Sequence, residues 1–363
     1  MVEKMSAIQG LRFLGFLLIF LIHSSWLVSP DRLFNYGGRG VEIFFVLSGY
    51  LMAYNFAGTA IPYDFKSCIC YMFRKLKKFY VLHLITLFVI LLFFIHTFYK
   101  HGFQYHGGMH QFILDFFLNI MLLQSWYDSS KFSFNGVSWF LSSILFMYLC
   151  TPLLIHKVNK IKSGGVVFLF ILLISSKMIL DTLAFRFGIN PLPGVFSFYA
   201  NPIYRFMDYL VGFLGAVIIS KGFPTLSSMK VSALQIAVFV IYLICCMKFD
   251  KAWMQAQFLL ITLLLVYVFS LRNGVFDKIF GNPFMVHLGN ISFELFMVHQ
   301  VIIRLFASRI KNEFSLNGTI TVLLMMFLSI LVAEFFHWKP VRECITQRFW
   351  NKLSVGLTHK HNN

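Results

Sequence analysis

The chain has 363 residues, of which 58% are apolar, 18% aromatic and only 12% charged, with a mean hydropathy of +0.75. A soluble domain carries about a quarter charged residues, so this chain lacks the polar side chains to cover a water-facing surface. Its net charge of +17 fits the cationic cytoplasmic loops of a multi-pass membrane protein, and no nucleic-acid partner is expected.

Apolar segments close to the roughly 20 residues that cross a bilayer recur at 13–28, 41–57, 79–98, 138–156, 165–183, 203–220, 231–247, 254–271, 288–306 and 318–337. They predict an all-α integral membrane protein of about ten transmembrane helices. The first is expected to be a retained span, because no small-residue cleavage site follows it. A further apolar piece, 112–124, is short for a crossing and is expected to lie on, or re-enter from, the outer face. With it left out, Lys and Arg favour the N-terminal side by about two to one, which predicts that both termini are cytoplasmic. No internal repeat or linker divides the chain. Residues 1–340 are expected to form one transmembrane domain, and 341–363 a basic cytoplasmic tail.

The six cysteines fall mainly in apolar runs or in basic segments assigned to the cytoplasm, which argues against a disulfide framework. Cys68 and Cys70 lack a second pair. His96, His101, His106 and His110, in an outer loop, match no recognised ligand spacing, so no metal is assigned.

Four cations remain within or at the ends of spans: Arg12, Lys177, Arg205 and Arg304. Ionisable groups at such positions face a bundle interior or a water-filled cavity, although Arg12 and Arg304 also have the length to reach an interface. Asp208, three residues after Arg205, shares its helix face and offers it a partner. Lys177 has no assigned role. Arg12 and His23 are eleven residues apart, three turns plus about 20°, so they point the same way with about 16 Å between them along the axis. An arginine there suits phosphate, and a histidine suits proton transfer.

Six stretches then resemble, in order, the membrane-bound acyltransferase-3 family. They are IQGLRFLGFLLIFLIH with Arg12 and His23; GVEIFFVLSGYLM, with Glu42 where the family has Asp; FRKLKKFYVLH, with Arg74, Lys75 and Lys78; SWFLSSILFMYL, with Ser138, Trp139 and Ser142; YRFMDYLVGFLGA, with Arg205, Asp208 and Gly212; and LGNISFELFMVHQ, ending near His299. They extend from about residue 8 to residue 300. Three positions depart from the pattern. Val81 replaces a common proline, Ser143-Ile144 replaces a glutamate after the Ser-Trp segment, and only Lys339-Pro340 survives of a C-terminal Glu-Lys-Pro-Phe element.

The resemblance implies transfer of an acyl group, most often acetyl, from cytoplasmic acyl-coenzyme A to a hydroxyl of a cell-envelope carbohydrate such as lipopolysaccharide O-antigen or exopolysaccharide. It also implies a bacterial inner-membrane location. Acetyl-CoA is then a co-substrate, and no tightly bound cofactor is expected. Arg12, Arg74, Lys75 and Lys78 are expected at the coenzyme phosphates, with the pantetheine arm running along the first span toward His23. His23 is expected to act as general base on the hydroxyl, or alternatively to carry the acyl group itself. Trp139 is a candidate for stabilising the oxyanion, and Ser138, Ser142, Arg205, Asp208 and His299 are candidates for substrate contact. Arg12 and Glu42 are also candidates for a catalytic role; Glu42 is placed to pair with His23 or Arg39, or to cap its helix, and Ser48-Gly49 suits close helix packing. A transporter or flippase is the competing class, although no inverted repeat or pair of broken helices supports it; a scaffold in an envelope-polymer assembly is weaker still.

Overall fold

The structure is a computed structural model that describes residues 5–28, 37–56, 58–59, 61–190, 196–220, 226–249 and 254–343. Among them are helices α1 (Ser6–Ser24), α2 (Gly37–Phe56), α3 (Phe65–Leu76), α4 (Tyr80–His101), α5 (Gly108–Ile120), α6 (Trp139–Val158), α7 (Ser163–Asp181), α8 (Pro202–Ile219), α9 (Ser228–Phe249), α10 (Gln255–Ser270), α11 (Val275–Ile279), α12 (Pro283–Asn290), α13 (Ser292–Glu313) and α14 (Gly318–His337), with no strand among the described residues. All but the first three residues of the predicted tail lie outside them.

Nine of the ten predicted spans each coincide with one helix, and the tenth, 288–306, is covered by two. Among the described residues, seven helices are long and apolar enough to cross a membrane, and a bent pair makes an eighth if its two halves form one span. The remaining two fall short of that standard: α10 has 16 residues, and α2 carries Arg39, Glu42 and several glycines. The segment expected as one straight span at 288–306 is broken, with α12 and α13 meeting at Ile291 with a bend of 64°. There the Ser292 hydroxyl donates to the Gly289 carbonyl at 2.7 Å, offering that carbonyl a side-chain partner at the break. The apolar piece at 112–124 overlaps α5, whose 13 residues span about 20 Å, less than the roughly 30 Å hydrocarbon core. It is tied to α4 through Tyr80 to the Ile120 carbonyl at 2.9 Å and His83 to the Asn119 carbonyl at 2.8 Å.

Helices α1, α2 and α8 occupy the centre, and α2 packs most extensively on α8. Small residues set that contact. A Cβ built on Gly49 would lie 2.0 Å from the Tyr209 carbonyl oxygen, and one on Gly212 would lie 1.9 Å from that of Val46. The backbones thus touch directly, as glycine permits in membrane helices. On the periphery, only 22% of the apolar window in each of α7 and α14 is buried, against 61% in α6 and α8. The exposed large side chains of the outer pair, such as Phe168, Ile171, Phe327 and Phe335, form a surface that lipid rather than water covers.

Six buried charges brace one side of the centre. Arg39 donates to Glu42 at 2.5 Å, and Arg205 to Asp208 at 2.7 Å. Lys177 lies 3.5 Å from Asp181 and 3.4 Å from Asp208. Asp181 also accepts from Tyr204 and from the amide of Ala256. Lys177 is therefore the counter-ion that links α7 to α8.

Candidate active site

Two cavities lie along α1. The one nearer the N-terminus of α1, called inner for that position alone, measures about 780 Å³ and contains Arg12, Lys75 and Lys78, with Tyr148, Arg342 and the start of α13 at its walls. Arg12 is oriented by Gln9, whose side-chain oxygen is 3.4 Å from its Nη1. Lys75 arrives on α3, a helix begun by Asp64, whose carboxylate accepts from the Ser67 amide at 3.1 Å. The Ser67 hydroxyl, which also donates to Asp64 at 2.6 Å, and then its amide lower the Asp64 pKa. Burial, with Lys78 and then Arg74 adding repulsion, pushes the Lys75 pKa down. Cations crowded into a partly buried cavity favour an anionic ligand, which would relieve that repulsion. Arg74 faces a neighbouring cavity of about 440 Å³ instead, one that Lys75 and Lys78 also line.

The outer cavity, about 350 Å³, is lined by His23, Trp139, Tyr199, Gln300 and Arg304, among others. His23 Nδ1 lies 2.9 Å from Nε2 of His299. The ring centroids are 5.1 Å apart with planes inclined by 14°, so the imidazoles meet edge to edge rather than face to face. His299 Nδ1 lies 3.1 Å from the Leu295 carbonyl oxygen. That oxygen can only accept, so Nδ1 of His299 carries the proton. With both rings neutral, Nε2 of His299 accepts from Nδ1–H of His23. Nε2 of His23 is then the one nitrogen of the pair left with a free lone pair. His299 is fully buried, and it is His23 that lines the cavity.

The structure thus divides the candidate residues into groups. Arg12, Lys75 and Lys78 meet at the inner cavity, with Arg74 beside them; His23, His299 and Trp139 meet at the outer end. Glu42 lines neither cavity. It is buried against Arg39, whose guanidinium lies 3.6 Å from the Phe258 ring centroid, so no contact from Glu42 to His23 is made. Arg205 and Asp208 are engaged in the ion network and with the Tyr199 carbonyl, 2.5 Å from Arg205 Nε. Ser138 and Ser142 are buried and bonded to other side chains: Ser138 accepts from Gln124 at 3.1 Å, and Ser142 pairs with Ser125 at 2.6 Å. None of these four lines the outer cavity.

Gln300 and Arg304, absent from the sequence-derived site, do line it. Gln300 uses its side-chain oxygen to accept from the Val137 amide at 3.0 Å, which leaves its NH2 group as a donor. Arg304 donates to the Phe134 carbonyl at 2.6 Å and retains further N–H donors. The usable signal was their spacing: residues 296, 300 and 304 recur every four positions on one face of α13. No group of three or more His, Cys, Asp or Glu side chains among the described residues is arranged to hold a metal.

A bare imidazole nitrogen in one chamber and a cationic cavity in the next, both on one helix, is an arrangement suited to group transfer from an anionic carrier. A family model described as an acyltransferase domain matches residues 5–339. The chain belongs to the acyltransferase-3 family. It is a membrane acyltransferase, and the match takes in both cavities of this acyltransferase apart from Arg342 and Glu343 at the inner rim. Searches of curated proteins and of solved structures each found no significant match.

Proposed function

We propose that this membrane acyltransferase moves an acetyl group from cytoplasmic acetyl-coenzyme A to a hydroxyl of a cell-envelope carbohydrate in the bacterial inner membrane, with both termini on the cytoplasmic side. The observation that carries the reading is the free Nε2 of His23 in a chamber about 16 Å along α1 from the Arg12 cavity. The coenzyme phosphates sit against Arg12, Lys75 and Lys78, with Arg74 near the entrance; arginine supplies a fork and lysine a point charge. The uncharged pantetheine arm spans the intervening distance and brings its thioester to His23.

In the reaction, the acceptor hydroxyl gives its proton to His23 Nε2 as its oxygen attacks the thioester carbon. The developing imidazolium is held in place by His299, whose own ring is fixed on the Leu295 carbonyl. The N–H groups of Gln300 and Arg304 are the donors available to the oxyanion. Collapse of the intermediate breaks the carbon–sulfur bond, and His23 returns the proton to the leaving thiolate. The products are an O-acyl ester and free coenzyme A. Trp139 and Tyr199 offer the acceptor aromatic walls that suit the apolar faces of a sugar ring. Because Nε2 is free in the resting state, a covalent route uses the same lone pair: Nε2 attacks the thioester carbon and expels the coenzyme A thiolate, and the acceptor hydroxyl then takes the acyl group from the ring, its proton passing by way of His23 to the thiolate.

The test is thiol release from acetyl-CoA by purified protein in proteoliposomes supplied with a panel of envelope glycans. Glycan-stimulated release by wild type, absent in His23→Ala, is the expected result. Equal release by the two proteins would remove His23 from the reaction.

A further inference from the structure

The inner and outer cavities are separate, and one residue, Phe296, lines both. Its ring lies 5.4 Å from that of Phe140 and 6.1 Å from that of Phe44, and those two rings lie 6.0 Å apart. Phe44 and Phe140 belong to the inner cavity, while their helices reach the outer cavity through Val41 and Trp139. On its other side, Phe296 sits 6.1 Å from His299. Three aromatic rings, one each from α2, α6 and α13, therefore stand between the cations and the imidazole pair.

The local sequence makes room for this partition. Gly15 of α1 lies against Phe44: a Cβ there would be in ordinary contact, 3.5 Å from Phe44 Cε2. Phe296 itself is 4% exposed and so fills its position. Phe44 and Phe140 remain partly accessible, as walls of the inner cavity must be. The Phe296 side chain emerges one helical turn before His299, so its ring guards the approach to the catalytic pair from the Arg12 side.

We propose that Phe296 is the specificity-determining gate of the reaction: the acyl-bearing arm displaces it to reach His23, and the space released sets the longest acyl chain transferred. The inference rests on the acyl-coenzyme A reading above. A short acetyl thioester asks for little more room than the swung ring leaves, while each added methylene meets Phe44 and Phe140. Packed against the inserted arm, the displaced ring also keeps water of the inner cavity away from the acyl group at His23. With the gate removed, water replaces the acceptor hydroxyl: its oxygen attacks the thioester carbon, the carbon–sulfur bond breaks, and a carboxylic acid and free coenzyme A result.

The experiment compares wild type with Phe296→Ala and Phe296→Leu, using two-, four- and six-carbon acyl-CoA donors with and without glycan. The expected result for Phe296→Ala is a shift of at least about tenfold toward the six-carbon donor, with thiol release in the absence of glycan. Phe296→Leu should fall between; it keeps the proposal testable should the alanine variant fold poorly. An unchanged ranking of donors, with release still dependent on glycan in both variants, would overturn it.

A second arm needs no turnover. Ile22 lines the outer cavity. In vesicles presenting the Arg12 face outward, Ile22→Cys is exposed to a charged, membrane-impermeant methanethiosulfonate and read by the mass of its peptide. Protection in the otherwise wild-type chain and labelling in the Phe296→Ala and Phe296→Leu backgrounds are expected. Equal labelling in all would show that Phe296 closes nothing. Because this arm reports on the partition alone, its result stands whether or not acyl-CoA proves to be the donor.

Discussion

His23 and His299, 276 residues apart in sequence, share a nitrogen–nitrogen contact of 2.9 Å, and the Leu295 carbonyl behind His299 fixes the direction in which that contact donates. The pair is an orienting chain: carbonyl to imidazole to imidazole, ending at the free Nε2 of His23. It sets the tautomer of His23 with no carboxylate among the described residues that line the chamber. His299→Phe keeps a ring of similar shape but offers no acceptor to His23. The turnover number is expected to fall about a hundredfold, with little change in KM for the acyl donor. A raised KM with normal turnover would instead make His299 part of donor binding.

Arg12 and Lys75 predict a different signature. Hydrogen bonds to charged groups contribute about 1.5–3 kcal/mol each, so Arg12→Ala should weaken coenzyme A binding by about 10- to 100-fold, measured by calorimetry without turnover. Binding of the polyanion stabilises protonated Lys75, whose pKa burial and its cationic neighbours depress in the free protein. Affinity should therefore decline as pH rises through that depressed value, and Lys75→Met should flatten that part of the profile. Binding that is indifferent to both changes would place the coenzyme elsewhere.

Glu42 separates stability from catalysis. Removing one partner from a buried ion pair costs about 3–5 kcal/mol, so Glu42→Ala should lower the thermal midpoint markedly. The turnover of the remaining folded protein should persist, because Glu42 faces Arg39 and not His23. Loss of turnover at an unchanged midpoint would restore Glu42 to the chemistry.

Gly212 tests the centre of the bundle. A Cβ there would sit 1.9 Å from a backbone oxygen of α2, a clash that no rotamer relieves. Gly212→Leu should yield little folded protein, whereas Gly38→Ala, where a Cβ meets nothing within 4 Å, should express normally. Yield and monodispersity in detergent distinguish the two.

Much of this was legible in the sequence, because periodicity and composition are local properties. The apolar runs located the helices, and the spacing of Arg12 and His23 placed them on one face of α1. The bend at Ile291 was not legible: the apolar run continues across it, and nothing local demands the 64° turn. The destination of polar side chains was also hidden. Glu42 had two plausible partners and a capping role, and only the approach of α10, with Phe258 beneath Arg39, shows which way the pair lies. Ser138 and Ser142 look like ligands on a helix diagram, but they find partners in Gln124 and Ser125, on a short turn of Gln124–Trp126 that no pattern announced. Conversely, Gln300 and Arg304 acquire meaning only once Phe296 and His299 are seen on the same wall.

The one-sided placement of Arg12, Lys75, Lys78 and Arg342 relative to the three rings has an electrical consequence. Every cation that would grip the phosphates lies on the near side of Phe296, so only the neutral arm and its ester pass beyond it. Moving one charge through a membrane held at 100 mV involves about 2.3 kcal/mol; here no net charge moves. If the transfer runs by the proposed route, with the hydroxyl proton ending on the coenzyme A thiol, it is expected to be electrically silent, and a cell that loses its membrane potential should go on modifying its envelope for as long as the acyl donor lasts.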